Sequence, residues 1–157
     1  MAKLDTLKRL FNECWMPGDL DRLDEVLDPT IVWTAIESAP DAGTRRGYDE
    51  CRAYMQEWLD DFVLESPEIH EVGSTSTGDV VCSFTGHATG RASGVRTEIC
   101  FAITCRFAVD GRIVSIHEYA TLPEACRGAG LWNSARFGSR PSAASALREE
   151  SVRRWER

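Results

Sequence analysis

Apolar positions recur along this chain with two periods, three-to-four in its first half and two in its second. Leu4, Leu7, Phe11 and Cys14 follow at steps of three and four, which marks one face of a helix over about residues 2–15. Pro17 and Gly18 break it. Asp19 is placed to cap a second short helix that buries Leu20, Leu23 and Leu27 and ends at Asp28 and Pro29. Residues 30–36 read as a strand, because Ile31, Val32, Trp33 and Thr34 all favour extended backbone. Two phases fit it: one buries Val32, Thr34 and Ile36, the other Ile31, Trp33 and Ala35. Residues 37–46 form a loop with Ser, Pro, Asp and Gly. Gly47 precedes the longest helix, in which Cys51, Met55, Trp58 and Phe62 keep the helical step.

Beyond it the pattern changes to strands. Residues 63–72 form the first, interrupted by Pro67, which places it at an edge or gives it a bulge. A polar turn over residues 74–79 leads to a second strand at 80–89, and a glycine-containing turn at 90–94 to a third at 95–109. The third alternates cleanly through Ile99, Phe101, Ile103, Cys105, Phe107 and Val109. Asp110 and Gly111 form a tight-turn pair. The fourth strand, 112–120, carries Ile113, Val114 and Ile116 and ends in His117, Glu118 and Tyr119. Pro123 and Gly128 bracket a short last helix that would cover the end of this strand. Consecutive strands joined by short turns predict an antiparallel meander. Helices first and sheet last is the α+β class: a conical barrel, in which a curved, mostly antiparallel sheet wraps a long helix and leaves one open mouth.

Composition narrows the setting. The 157 residues, 43% hydrophobic and 27% charged, suit one domain with a substantial core. A net charge of −7 argues against nucleic acid as partner, and no apolar run is long enough for a membrane span. The N-terminus lacks the apolar core of a secretory signal. Six cysteines are present, none in a C-x-x-C pair or at zinc spacing, so they read as reduced core thiols of a cytoplasmic protein. From residue 132 onward Ser, Ala, Arg and Gly dominate. Residues 134–157 hold six Arg against three Glu, about +3 on an otherwise acidic chain. This divides the chain into a domain at 1–131 and a tail at 132–157, for which two readings stand: a helix over 142–157 that docks on its own or a neighbouring subunit, or a floppy extension.

Glu118 is the leading candidate for chemistry. If Val114 and Ile116 face the core, alternation carries Glu118 to the same face, and desolvation raises the pKa of a carboxyl at an apolar pocket floor, which suits a general acid or base. His117 then faces away; with the opposite phase it would replace Glu118 as the catalytic candidate. His87 lies among Gly86, Thr89 and Gly90, where a bulge would aim it at an acid to complete a proton relay. Phe11, Trp15, Trp33, Trp58, Phe62 and Phe84 are candidates to line the cavity, Thr34 and Tyr119 to bind substrate there, and Trp132 to lid the mouth. No nucleophile elbow, phosphate loop, zinc-protease helix or dinucleotide fingerprint occurs. Neither a metal nor a cofactor is expected, and any reaction would rest on proton transfer.

Several phrases, taken in order and spacing, resemble the SnoaL-like branch of the nuclear transport factor two-like superfamily. They are Pro17-Gly18-Asp19-Leu20, Arg46-Gly47-Tyr48-Asp49, Phe84-Thr85-Gly86-His87-Ala88-Thr89-Gly90, and Asp110-Gly111-Arg112-Ile113-Val114 leading to His117-Glu118-Tyr119. The resemblance covers about residues 4–131. It implies a conical α+β barrel, a homodimer formed through the outer sheet face, and a pocket for a small apolar molecule. The superfamily includes polyketide cyclases, ketosteroid isomerases, dehydratases and limonene-epoxide hydrolases. Departures exclude some of these. The ketosteroid isomerases carry an Asp and a Tyr where this chain has Thr34 and Phe11. The epoxide hydrolases share an acid before a Tyr, as in Glu118-Tyr119, but also need an Arg/Asp pair that the sequence around Ser83, Thr85 and His87 does not supply. What remains is cyclisation, isomerisation, dehydration or hydrolysis of a polyketide- or terpenoid-like substrate, with a non-catalytic binding or assembly module as the alternative.

Overall fold

The computed structural model describes residues 3–131, so the tail and Trp132 lie outside the described residues. The first helix, α1 (Lys3–Arg9), runs on into a π-helical segment, Leu10–Trp15, whose widened turn is seen in the Met16 N–H donating to the Phe11 carbonyl at 2.8 Å. Leu7, Leu10, Phe11, Cys14 and Trp15 are all buried on the predicted face. Gly18, at φ +79°, reverses the chain in a conformation glycine adopts without strain. The predicted second helix is one short 3-10 segment, Leu20–Glu25, with Leu20 and Leu23 buried; Asp19 makes no side-chain cap bond to it.

Strand β1 (Leu27–Thr34) begins three residues earlier than the sequence predicts and takes in Pro29. The proline is tolerated because the pairing between β1 and its neighbour shifts register between Leu27 and Val32. The buried phase is Ile31, Trp33 and Ala35. The loop's end forms a short strand, β2 (Thr44–Arg46), antiparallel to β1. Gly47, at φ +77°, turns the chain directly into α2 (Gly47–Asp61), which buries Cys51, Tyr54 and Met55. The Tyr48 hydroxyl donates to the Leu27 carbonyl at 2.7 Å and Trp15 Nε1 to the Met55 carbonyl at 3.2 Å, tying α2 to the strand and the first helix.

Pro67 splits the next predicted strand into β3 (Phe62–Leu64) and β4 (Glu68–Ser74), both antiparallel to β5 (Val80–Gly90). β5 pairs with β6 (Arg96–Phe107), and β6 with β7 (Ile113–Tyr119), both antiparallel as predicted. β7 then pairs in parallel with β1, a long-range closure that a meander does not predict. The sheet is therefore mixed, in the order β2-β1-β7-β6-β5-β3 with β4 also on β5, and it curls into a half-barrel.

The inner face of this sheet, from Trp33 through Ile116, Ile103 and Phe84 to Ile69, packs with α2 and the first helix in one hydrophobic core. The last helix, α3 (Leu122–Gly128), lies on the opposite face. Thr121 caps it in a capping box with Glu124, and its Ala125 and Cys126 pack on Val81 and Ala102. It thus covers part of the outer sheet face rather than the cavity. All six cysteines are free, with Cys100 half-buried and the other five buried. Among the described residues, no helix is long and apolar enough to cross a membrane.

Candidate active site

The register of β7 decides the site. Ile116 lies opposite Cys105 and Glu118 opposite Ile103, and all four side chains point inward. Glu118 is only 7% exposed, and Trp33 Nε1 donates to its Oε1 at 2.8 Å. Burial pushes its carboxyl up to about 7. The Trp33 hydrogen bond opposes that rise, the charge of Asp41 adds to it, and the Ile36 backbone amide and Arg45 oppose it again. Glu118 is thus poised to give or take a proton near neutral pH, as a general acid or base needs.

Above Glu118 is a cavity of about 210 Å³, walled mainly by carbon. Phe11 and Trp15, one helical turn apart on the π-helical segment, stack with ring centroids 5.5 Å apart. Trp15 meets Trp33 edge-on at 5.5 Å, and Phe84 stacks on Phe101 at 4.2 Å. Trp58 completes this aromatic wall from α2. Gly86 keeps the far wall open: a Cβ there would approach Phe84 Cε1 to 3.0 Å.

The loop between β1 and β2 contributes groups that the sequence reading does not pick out. Ile36, Ser38, Ala39, Pro40 and Asp41 line the cavity. Successive turn bonds hold this loop, from Ala39 N–H to the Ile36 carbonyl and from Ala42 N–H to the Ala39 carbonyl, both 3.0 Å. Trp58 Nε1 donates to Asp41 Oδ2 at 3.0 Å. Tyr54, on α2, faces both Asp41 and Glu118; burial and those two acids push its hydroxyl far above the usual tyrosine range, so it stays a donor. Arg45 lies opposite Trp33 in the β1–β2 register and rests its guanidinium 4.3 Å from the Tyr54 ring centroid. Helical spacing from Cys51 and Trp58 could have found Tyr54. Nothing in a loop's composition predicts where Asp41 or Arg45 ends up.

Other candidates fall elsewhere. His117 and Tyr119 are on the outer face, stacked at 4.3 Å, and Thr34 pairs with His117 there and hydrogen-bonds Thr44. None of the three lines the cavity. A catalytic place for His117 and substrate contacts for Thr34 and Tyr119 are therefore corrected by strand parity. His87 reaches the cavity edge, yet it pairs in register with Glu98, and its Nε2 lies 3.5 Å from Glu98 Oε2. The acid it faces is Glu98, not Glu118, so the predicted relay is not assembled. Trp33 stands behind Glu118 rather than on the cavity surface, and Phe62 packs against Trp58 at 5.1 Å outside it. Glu65, at the rim, is held below the usual carboxylate range by Arg96, which bonds both of its oxygens. Among the described residues, no group of three His, Cys, Asp or Glu side chains is placed to hold a metal ion.

Comparison with known proteins agrees with this architecture. The SnoaL-like domain family matches residues 7–116. Among solved structures, a nuclear transport factor two-like protein of unknown function from Burkholderia pseudomallei is 24% identical, with 82% of this chain and 98% of that chain covered at a TM-score of 0.57. A protein from Mesorhizobium loti assigned to the SnoaL-like polyketide cyclases is 18% identical over 76% and 99% of the two chains, at 0.55. An epoxide hydrolase of the limonene-epoxide-hydrolase-like type from Mycobacterium tuberculosis is 17% identical over 74% and 80%, at 0.57. At these identities the likeness is one of fold. No curated protein matches the sequence. With the family match spanning most of the chain and the same half-barrel in these structures, the protein belongs to the SnoaL-like domain family.

Proposed function

We propose that the protein is a cofactor-free enzyme that moves a proton on a small, mostly apolar molecule held in the cavity, with Glu118 as the central acid/base group. The observation that carries this reading is a titratable carboxyl, buried by aromatic rings and tuned to about 7, at the floor of an apolar cavity. A buried ionisable group costs stability, and a pure scaffold gains nothing from keeping one there. The aromatic wall suits a ring system of polyketide or terpenoid type, and proton transfer suffices for its cyclisation, isomerisation, dehydration or hydrolysis. The cyclase and epoxide-hydrolase assignments of similar structures support the range without choosing within it.

The competing reading, a non-catalytic binding module, draws on the same apolar wall. The two part on one substitution. Incubating the protein with a panel of aromatic polyketones and terpene epoxides, with product read by mass spectrometry, should give a conversion that Glu118→Gln removes while leaving ligand binding intact. Binding of the same compounds with no conversion by the wild type would decide for the binding module.

A further inference from the structure

The cavity above Glu118 is rich in acceptors and poor in donors. Six aromatic side chains border it, Phe11, Trp15, Tyr54, Trp58, Phe84 and Phe101, and so do three carboxyls, Asp41, Glu65 and Glu118. No Lys or Arg among the described residues lines it. The indole N–H groups around it are already spent: Trp15 Nε1 donates to the Met55 carbonyl, Trp33 Nε1 to Glu118 and Trp58 Nε1 to Asp41. The Tyr54 hydroxyl faces the Asp41 and Glu118 carboxyls. Glu65, at the rim, has Arg96 bonded to it. Glu118, 7% exposed, has no such ion pair among the described residues. Its partners are the Trp33 indole and the Ile36 amide, both uncharged. Arg45, the cation that acts on it electrostatically, commits its guanidinium to the Tyr54 ring and to the Gly43 carbonyl. What this wall leaves unmet is a donor, and a positive one, because aromatic faces and a buried carboxyl both favour a cation over a neutral group.

We propose that the cavity is a binding site for a compact organic amine: an apolar frame whose protonated nitrogen lies against the aromatic faces and donates to Glu118. The inference goes beyond the acid/base reading, because it names the ligand's charge and holds whether or not a reaction follows. The frame packs on the rings and on Ile36, Ala39 and Pro40. The N–H bonds meet the Glu118 carboxylate, so charge-assisted hydrogen bonds and ring faces stand in for the hydration that the ammonium loses. A ligand carboxylate or phosphate finds no cation on the wall and adds like charge to its acids. A neutral ligand keeps the apolar contacts and gains nothing from charge. Pairing with an ammonium favours the ionised form of Glu118. Below the Glu118 midpoint of about 7, binding therefore sends the carboxyl's proton to solvent, and affinity weakens as pH falls. The other titratable groups facing this point are Asp41 on the β1–β2 loop and Tyr54 on α2, which stays protonated. At the rim, Glu65 is bonded to Arg96, and His87 on β5 lies beside Glu98.

The test compares 2-aminoindane with 2-indanol, which share one hydrocarbon frame and differ by an ammonium against a hydroxyl. In isothermal titration calorimetry of the intact protein, about one pH unit above the Glu118 midpoint, the amine should bind about tenfold or more tighter than the alcohol. About one unit below the midpoint, that preference should shrink about tenfold. Amine binding there should release about one proton per site, read from the dependence of the heat on the buffer, and alcohol binding none. Glu118→Gln keeps the shape of the side chain and should abolish the proton release and most of the preference, while 2-indanol still binds. Equal affinity for the two compounds at both pH values, tighter binding of the alcohol, or a preference that Glu118→Gln leaves intact would overturn the inference, as would binding of neither compound. Those results would leave the proton-transfer reading standing, because that reading rests on conversion of a neutral substrate and its loss in Glu118→Gln.

Discussion

Replacing Glu118 with Gln should make the protein more stable above neutral pH. The side chain keeps its shape, and its amide oxygen can still accept the Trp33 indole N–H that now reaches Oε1 at 2.8 Å. What it loses is the charge. Burial raises the Glu118 carboxyl from 4.5 to about 7, so between those pH values the folded protein binds a proton that the unfolded chain has released. Stability therefore falls as pH rises across that window and levels off above it. A rise of this size corresponds to about 3 kcal/mol between the two plateaus. Urea unfolding followed by tryptophan fluorescence, at a series of pH values from about 4 to 8.5 spanning that window, measures it directly. Contributions from carboxyls remote from Glu118 cancel in the difference between the two proteins. The Gln variant should gain on the wild type by about 3 kcal/mol from the acidic end of the window to the alkaline end, while losing any turnover. Parallel stability profiles for the two proteins would refute the reasoning, because they would mean that Glu118 titrates alike folded and unfolded.

Other substitutions probe the surroundings. Trp33→Phe removes the indole donor that opposes the effect of burial, so the Glu118 midpoint should move above its wild-type value by carboxyl NMR, at a stability cost of about 2 kcal/mol for the lost volume and hydrogen bond. An unchanged midpoint would remove Trp33 from the tuning. Gly86→Val should fill the far side of the cavity against Phe84 and weaken binding of an apolar fluorescent dye; undiminished dye binding would place the ligand elsewhere. Gly128→Ala should cost about 1–3 kcal/mol in urea unfolding, because its Cβ would overlap the Tyr119 hydroxyl and lie 2.8 Å from Cζ, pushing α3 off the sheet. Adding Tyr119→Phe should recover part of that loss, and a fully stable Gly128→Ala would show that α3 is not held closely.

Much of this architecture can be read from the sequence because burial repeats locally. The stripe of Leu7, Phe11 and Cys14 and the alternation of Ile99, Phe101, Ile103 and Cys105 each report a face within one element. Glu118 follows from Ile116 by the same parity. Where two neighbouring residues are equally strand-forming, as Val32 and Trp33 are, parity is silent, and only the parallel pairing of β1 with β7 fixes it. That pairing joins segments about eighty residues apart. The glycines around His87 read as a bulge, yet β5 keeps its register from Val80 to Thr89, so Phe84 and Gly86 face inward while His87 sits at the cavity edge beside Glu98. Helix α3 carries only small buried residues, Ala125 and Cys126, which say that it packs but not on which face. Asp41 and Arg45 reach the site through a loop and a three-residue strand, where no period exists to read.

The account stands on the protonation of one buried carboxyl. Carbon-13 NMR of the folded protein labelled at glutamate side chains, with Glu118 assigned by its absence in Glu118→Gln, follows that carboxyl through a pH titration. A midpoint near 7 is the predicted result, and a midpoint near the ordinary 4.5 would contradict it.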